Sequence, residues 1–163
     1  MRALIALFLA LSLAACGFQL RGSYSLPWET LYLGMNENSP MYQQLKRNIE
    51  ASTSTRIVAN PKEAQASLFI VKEQQGKSIL SLNASGRVRE FQLSHTFVYR
   101  IQDAQGKELV PANQIVLLRE MTFDDEQLFA KEAEEGMIRV EMRNDLVQQL
   151  LRRLAASGRA SKG

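Results

Sequence analysis

Few side chains in this 163-residue sequence could perform covalent chemistry. It contains one cysteine, Cys16, and one histidine, His95. Cys16 follows Leu13-Ala14-Ala15, small residues that close a segment made of one basic residue, Arg2, and an apolar run from Ala3 to Leu13. One thiol with one imidazole makes neither a catalytic pair nor a metal cluster. His95 occupies an apolar position of an alternating stretch and reads as a satisfied core histidine. The carboxylates of Asp124, Asp125, Glu126, Glu132, Glu134 and Glu135 could serve as acid and base, but a solvated helix start accounts for them better. Gly76, Gly86 and Gly106 are isolated turn glycines and form no phosphate-binding loop. Asn83-Ala84-Ser85 matches a glycosylation sequon. These residues predict a non-enzyme with no catalytic residue, no metal and no cofactor.

The N-terminal segment predicts a secretory signal peptide over residues 1–15: a positive start, an apolar stretch too short to span a bilayer, then small residues at the cleavage site. Leu13-Ala14-Ala15-Cys16 resembles the bacterial lipobox. That resemblance implies diacylglycerol on the Cys16 thiol, cleavage before it, and an N-acyl chain on the new amine. Three chains at roughly 0.8 kcal/mol per buried CH₂ make an effectively permanent anchor. Removal of the fifteen residues leaves 148 of the 163, enough for one domain. With its cysteine committed to lipid the chain has no disulfide. No second apolar run of about eighteen residues follows. Gly17, where an Asp retains enteric-type lipoproteins at the inner membrane, favours the outer membrane.

The formal charge is +3, or +2 without Arg2, too small to point to a nucleic-acid partner. The placement of the cations is more informative. Lys77, Arg87 and Arg89 fall at expected turns around the middle strands, and Lys131 falls near the start of the last helix. Strand ends and helix start facing the same way would bring them together, where they could pair with phosphates. The alternative is that loop cations keep a surface soluble.

The elements that must position these groups follow from periodicity. Residues 16–28, with Gly22 and Pro27, read as a lipidated tether. Thr30 to Met35 is a short strand. Ser39-Pro40 opens a helix with Ser as N-cap and Pro at the first position, and Met41, Leu45 and Ile49 give it an apolar face beside Tyr42. Arg56 to Ala59 completes a strand–helix–strand unit whose strands should be parallel and right-handed. Ser67 to Glu73 and Ser78 to Leu82 are expected to be two strands flanking a turn at Gln74-Gln75-Gly76-Lys77. Phe91, Leu93, His95, Phe97, Tyr99 and Ile101 alternate with Gln92, Ser94, Thr96, Val98 and Arg100, so one side of that strand is a core face and the other is mixed. Asp103 to Lys107 is the next turn, and Ile115 to Phe123 the last strand. Asp124 or Asp125 caps a long helix to about Ala156, with an apolar stripe of Val147, Leu150, Leu151 and Leu154 extended upstream by Val140 and Met137. Gly136 inside it suggests a bend or a close contact. Residues 157–163 read as a disordered basic tail. The predicted fold is α+β: one domain over residues 29–156, a mixed sheet of four or five strands with two helices packed on one face.

Several stretches then become recognisable. Cys16-Gly17-Phe18-Gln19-Leu20-Arg21-Gly22, Arg89-Glu90-Phe91-Gln92-Leu93 and Arg119-Glu120-Met121-Thr122-Phe123-Asp124-Asp125-Glu126-Gln127, continuing through Lys131 to Met142, resemble the LptE family of lipopolysaccharide-assembly lipoproteins. The resemblance covers nearly all of the chain after residue 15. It implies two helices on a mixed sheet, a place inside the lumen of the LptD β-barrel translocon as a plug, help in its assembly, and lipopolysaccharide binding. Lys131 matches a basic position associated with that binding. Ala84 stands where some relatives carry Arg, so Arg87 or Arg89 would have to compensate. The rival readings are a pilot lipoprotein escorting another outer-membrane channel such as a secretin, and a periplasmic hydrolase using Asp125 and Glu132.

Overall fold

The computed structural model describes residues 25–160, with side-chain environments through Ser157; Cys16, the tether up to Tyr24 and the last three residues lie outside the described residues. Five strands form one sheet in the order β2-β1-β3-β4-β5. β1 (Thr30–Gly34) runs parallel to both β2 (Arg56–Val58) and β3 (Ala66–Leu82). β3, β4 (Val88–Gln102) and β5 (Glu108–Thr122) form an antiparallel meander. Two helices, α1 (Pro40–Ser52) and α2 (Leu128–Ala160), complete the α+β fold.

α1 starts where capping chemistry places it. The Ser39 hydroxyl accepts from the Tyr42 amide at 3.1 Å, Pro40 holds the first helical position, and Thr53 closes the helix by donating its amide to the Ile49 carbonyl. A Ser N-cap stabilises a helix by about 1 kcal/mol over Ala. Met41, Tyr42, Leu45 and Ile49 are buried against the sheet core, so the four-residue spacing did mark the inner face.

The alternation in β4 also marks the core. Leu93, His95, Phe97, Tyr99 and Ile101 are buried beneath the helices, joined by Leu31 and Leu33 of β1 and by Ile115, Leu117 and Met121 of β5. The opposite face carries Tyr32, Phe69, Thr96, Val98, Val116 and Leu118, with the last two half exposed.

Several local expectations need correction. The turn expected at Gln74 to Lys77 does not exist: β3 is one continuous 17-residue strand, and Gly76 pairs with Ser94 in its middle. A Cβ on Gly76 would lie 2.5 Å from Ser94 Oγ, so glycine there serves a close approach and not a bend. The true turn is Asn83 to Arg87. There the Asn83 side chain accepts from the amides of Ser85 and Arg87, and Gly86 takes φ +77°. The turn at Asp103 to Lys107 repeats that chemistry, with the Asp103 carboxylate accepting from Gln105 and Lys107 and Gly106 at φ +81°. β5 begins at Glu108, seven residues before the expected Ile115.

α2 is preceded by a 3₁₀ turn (Asp125–Gln127) that Asp124 caps by accepting from the Glu126 amide. The helix runs to Ala160, four residues past its expected end, so Ser157 to Ala160 belong to it and not to a disordered tail. Its buried stripe is Met142, Leu146, Val147, Leu150, Leu151 and Leu154, while Met137 and Val140 are exposed. The reason lies in α1. Gln44 bonds Asn144 and Arg143, and Asn48 bonds Gln148, so the helices run parallel with Pro40 level with about residue 140. Upstream of that point nothing on α1 faces α2, and the apolar stripe has no wall to pack on. A methyl group added at Gly136 would meet no atom within 4 Å, so this glycine makes no close contact.

Candidate functional site

The long meander carries β3, β4 and β5 beyond the packed core, and the first three turns of α2 lie over this extension. There the helix-facing residues of β3 are Glu73, Gln75, Lys77 and Ile79 instead of core aliphatics, because they face the polar side of α2. Gln75 accepts from Arg139, and Glu73 takes the hydrogen bond of buried His95 at 3.0 Å. His95 is thus a core histidine with a polar partner, on the apolar side as its strand position requires.

The centre of the region is the joint between β5 and α2. Thr122, Phe123, Asp124 and Asp125 occupy it, and all four predicted cations reach it. Lys131 Nζ donates to Thr122 Oγ1 at 3.0 Å and pairs with Glu134 at 2.8 Å. Arg87, in the β3–β4 turn, pairs with Asp125 at 3.6 Å. Arg89 accepts the Phe123 amide on its carbonyl at 2.8 Å, which places its exposed side chain beside the joint. Lys77 lies mid-strand rather than in a turn. Its ammonium stands 4.2 Å from the Phe91 ring and 5.9 Å from that of Phe123, two rings packed edge to face at 5.0 Å. The four cations expected from the sequence thus lie around one joint, although Lys77 reaches it from mid-strand and not from a turn.

The electrostatics divide the four cations into two kinds. Lys77 donates to Glu135 at 2.7 Å, and Glu135 also takes Arg139 at 2.6 Å. The hydrogen bond from Lys77, reinforced by Arg139, holds the Glu135 carboxyl below its ordinary 4.5 despite burial pulling the other way. Lys77 is fixed by a carboxylate and two rings. Arg87 and Lys131 have looser or more exposed counter-ions, and among the described residues Arg89 pairs with no carboxylate.

Sequence reasoning missed the Phe91–Phe123 ring pair under Lys77 and the counter-ions Asp125, Glu134 and Glu135 as ion-pair partners. The i,i+3 spacing of Lys131 and Glu134 and the i,i+4 spacing of Glu135 and Arg139 were available signals; the cross-element pairs had none. Large apolar side chains also stand exposed here: Ile79, Leu80 and Leu82 on β3, Leu128 and Phe129 on α2, with Phe129 85% exposed. Cations beside exposed aliphatic and aromatic groups fit an amphiphile with an anionic head. Among the described residues no group of three or more His, Cys, Asp and Glu could hold a metal ion, and no helix is long and apolar enough to cross a membrane.

The lipopolysaccharide-assembly family LptE matches residues 28–154. The chain is 32% identical over 150 residues to the LPS-assembly lipoprotein LptE of Yersinia enterocolitica, covering 86% of this chain and 69% of that protein. It is 29% identical to the protein of the same name from Pectobacterium atrosepticum, covering 86% and 77%. Among solved structures, lipoprotein B of Nitrosomonas europaea superposes with a TM-score of 0.75 at 38% identity, covering 86% of this chain and 91% of that one. The rare lipoprotein B of Shewanella oneidensis shares the fold, with a TM-score of 0.72 at 21% identity.

Proposed function

Because this chain belongs to the LptE family of lipopolysaccharide-assembly lipoproteins, we propose that it acts at the outer membrane as the plug and assembly partner of the LptD β-barrel. In this reading it binds lipopolysaccharide through Arg87, Arg89 and Lys131, with Lys77 behind them. Cys16 carries diacylglycerol and an N-acyl chain, which hold the domain on the periplasmic side of the membrane and let it reach the barrel lumen. The chain performs no catalysis and uses no cofactor or metal.

The observation that carries the lipid half of this reading is the convergence of four cations on the joint Thr122 to Asp125. Phosphates of lipid A would meet Arg and Lys donors there, the Arg residues through paired hydrogen bonds. The same donors would compete for the divalent ions that bridge neighbouring lipopolysaccharide molecules, so the surface would loosen aggregates as well as bind single molecules. Exposed Ile79, Leu82 and Phe129 would lie against acyl chains. The barrel half rests on the family and on the uncovered sheet face, where Thr96, Val98, Val116 and Leu118 mix polar and apolar groups as a polar lumen wall requires.

Purification of the full chain from outer membranes in mild detergent tests the reading. The expected result is a one-to-one complex with one large β-barrel, carrying lipopolysaccharide. A ring-forming multimeric channel in its place would favour a secretin pilot, and recovery of the lipoprotein alone would remove the barrel claim. The triple variant Lys131→Glu, Arg87→Glu, Arg89→Glu should keep the barrel and lose at least about tenfold in lipopolysaccharide affinity. Unchanged lipopolysaccharide binding would remove the lipid claim.

A further inference from the structure

The cations at the β5–α2 joint carry their own counter-ions, and those pairs stand in the path of an entering anion. Lys131 is only 16% exposed on its side chain, whereas its partner Glu134 is 40% exposed. The carboxylate is the outer member of the pair, so a phosphate reaching Lys131 from solvent meets Glu134 first. Thr122 Oγ1 holds the same ammonium from the strand side at 3.0 Å, which keeps Lys131 in place when Glu134 swings away. Arg87 and Asp125 are both more than half exposed and sit at a long 3.6 Å, a pair that opens readily. Arg89 is exposed and has no carboxylate partner among the described residues. Lys77 differs from all three, since Glu135, Arg139, Phe91 and Phe123 fix it together.

We infer that Asp125 and Glu134 are built-in competitors of the anionic ligand: a phosphate group lands on Arg89, displaces Asp125 from Arg87 and Glu134 from Lys131, and is displaced by them in turn when it leaves. These two carboxylates are positioning residues, and they set how tightly the site holds its ligand. No bond is made or broken; one charge-assisted hydrogen bond replaces another. A site without such competitors would keep a polyanion, whereas this one exchanges it. Such exchange suits a protein that passes an anionic amphiphile onward. The inference rests on the basic cluster being the ligand site proposed above, and it concerns the regulation of that site.

The test uses the full chain in detergent and two probes, inorganic pyrophosphate and purified lipopolysaccharide, titrated calorimetrically at two salt concentrations. The variant is Asp125→Asn with Glu134→Gln. The control is Glu63→Gln with Glu108→Gln, the same change of charge at the far end of the sheet, where Glu108 pairs in register with Gln102. The double variant should bind pyrophosphate about three- to tenfold more tightly than the parent, with the gain shrinking at high salt. The control should change less than about twofold. A gain in affinity on neutralising two carboxylates is an outcome that structural damage does not produce. Equal gains in variant and control would reduce the effect to net charge and overturn the inference. So would an unchanged or weakened double variant, or a failure of both parent and variant to bind pyrophosphate. The expected pyrophosphate pattern with no binding of lipopolysaccharide by any of the proteins would support the competitor role and remove only the functional reading.

Discussion

Glu135 shows how one side chain can tie a helix to a sheet where no apolar core does so. It accepts from Lys77 on β3 and from Arg139 one turn along α2, at a level of the molecule where α1 no longer reaches. The carboxyl is held below 4.5, first by the Lys77 hydrogen bond. A group with a depressed folded pKa contributes stability that is present above the unfolded value and lost as pH falls through the folded one. Glu135→Gln should therefore cost about 1 kcal/mol at pH 7, with a difference that closes as the pH drops below 4.5. Urea unfolding of both proteins between pH 7 and pH 3 measures it, and a constant difference across that range would show that the ion pair is not the cause. At the same scale the cation types were legible from sequence. Their partners were not, because Lys77 to Glu135 spans 58 residues and no local spacing encodes such a pair.

Among the elements, α1 and β4 follow their local patterns closely, and β3 does not. A polar run with a central glycine, Gln74-Gln75-Gly76-Lys77, has the composition of a turn. It stays extended because it pairs residue for residue with β4, Gly76 opposite Ser94 in particular. Burial of β3 stops at Ile70, so the residues beyond it need no apolar alternation to remain a strand. α2 shows the converse case, where an apolar pattern outlasts its packing partner and leaves Met137 and Val140 in solvent. Gly136 lies on that same unsupported stretch with open space around it. Gly136→Ala should stabilise the protein by about 1 kcal/mol, raising Tm by about 2–4 °C for a chain of this size. A lower melting temperature in differential scanning calorimetry would show that a methyl group at this position is not accommodated, against the open space around it.

At the scale of the whole molecule, one face and one end are left open. The helices cover one side of the sheet; the other presents Tyr32, Phe69, Val98, Val116 and Leu118 among polar neighbours. The end of the meander presents cations and exposed aliphatic groups around the β5–α2 joint. These are separate surfaces, so a barrel wall and an anionic amphiphile could be engaged at once. The proposed lipid anchor at Cys16 would govern where both are used. If Cys16 is lipidated as proposed, Cys16→Ala behind an ordinary cleavable signal peptide should move the chain from the membrane fraction to the soluble periplasm, since the proposed acyl chains would be absent. Immunoblots of fractionated cells read the outcome; retention in the outer membrane in cells lacking the barrel partner would show that lipid is not what holds it.

The sequence by itself determined the features that depend on a few neighbouring residues. These are the Ser39-Pro40 start of α1, the alternation that sends Phe97 and Tyr99 inward, the Asp103 turn, and the α+β class with parallel and antiparallel parts. Each is a matter of period, capping or side-chain type within about a dozen residues, and those act before any tertiary contact forms. The tertiary structure alone decided that β3 is continuous, that β1 lies between β2 and β3, that α2 outruns α1, and that Asp125, Glu134 and Glu135 stand against the cations. Those outcomes depend on strand register and helix length measured against distant segments. A charge placed on one strand acquires its partner only when the sheet has set the distance between them.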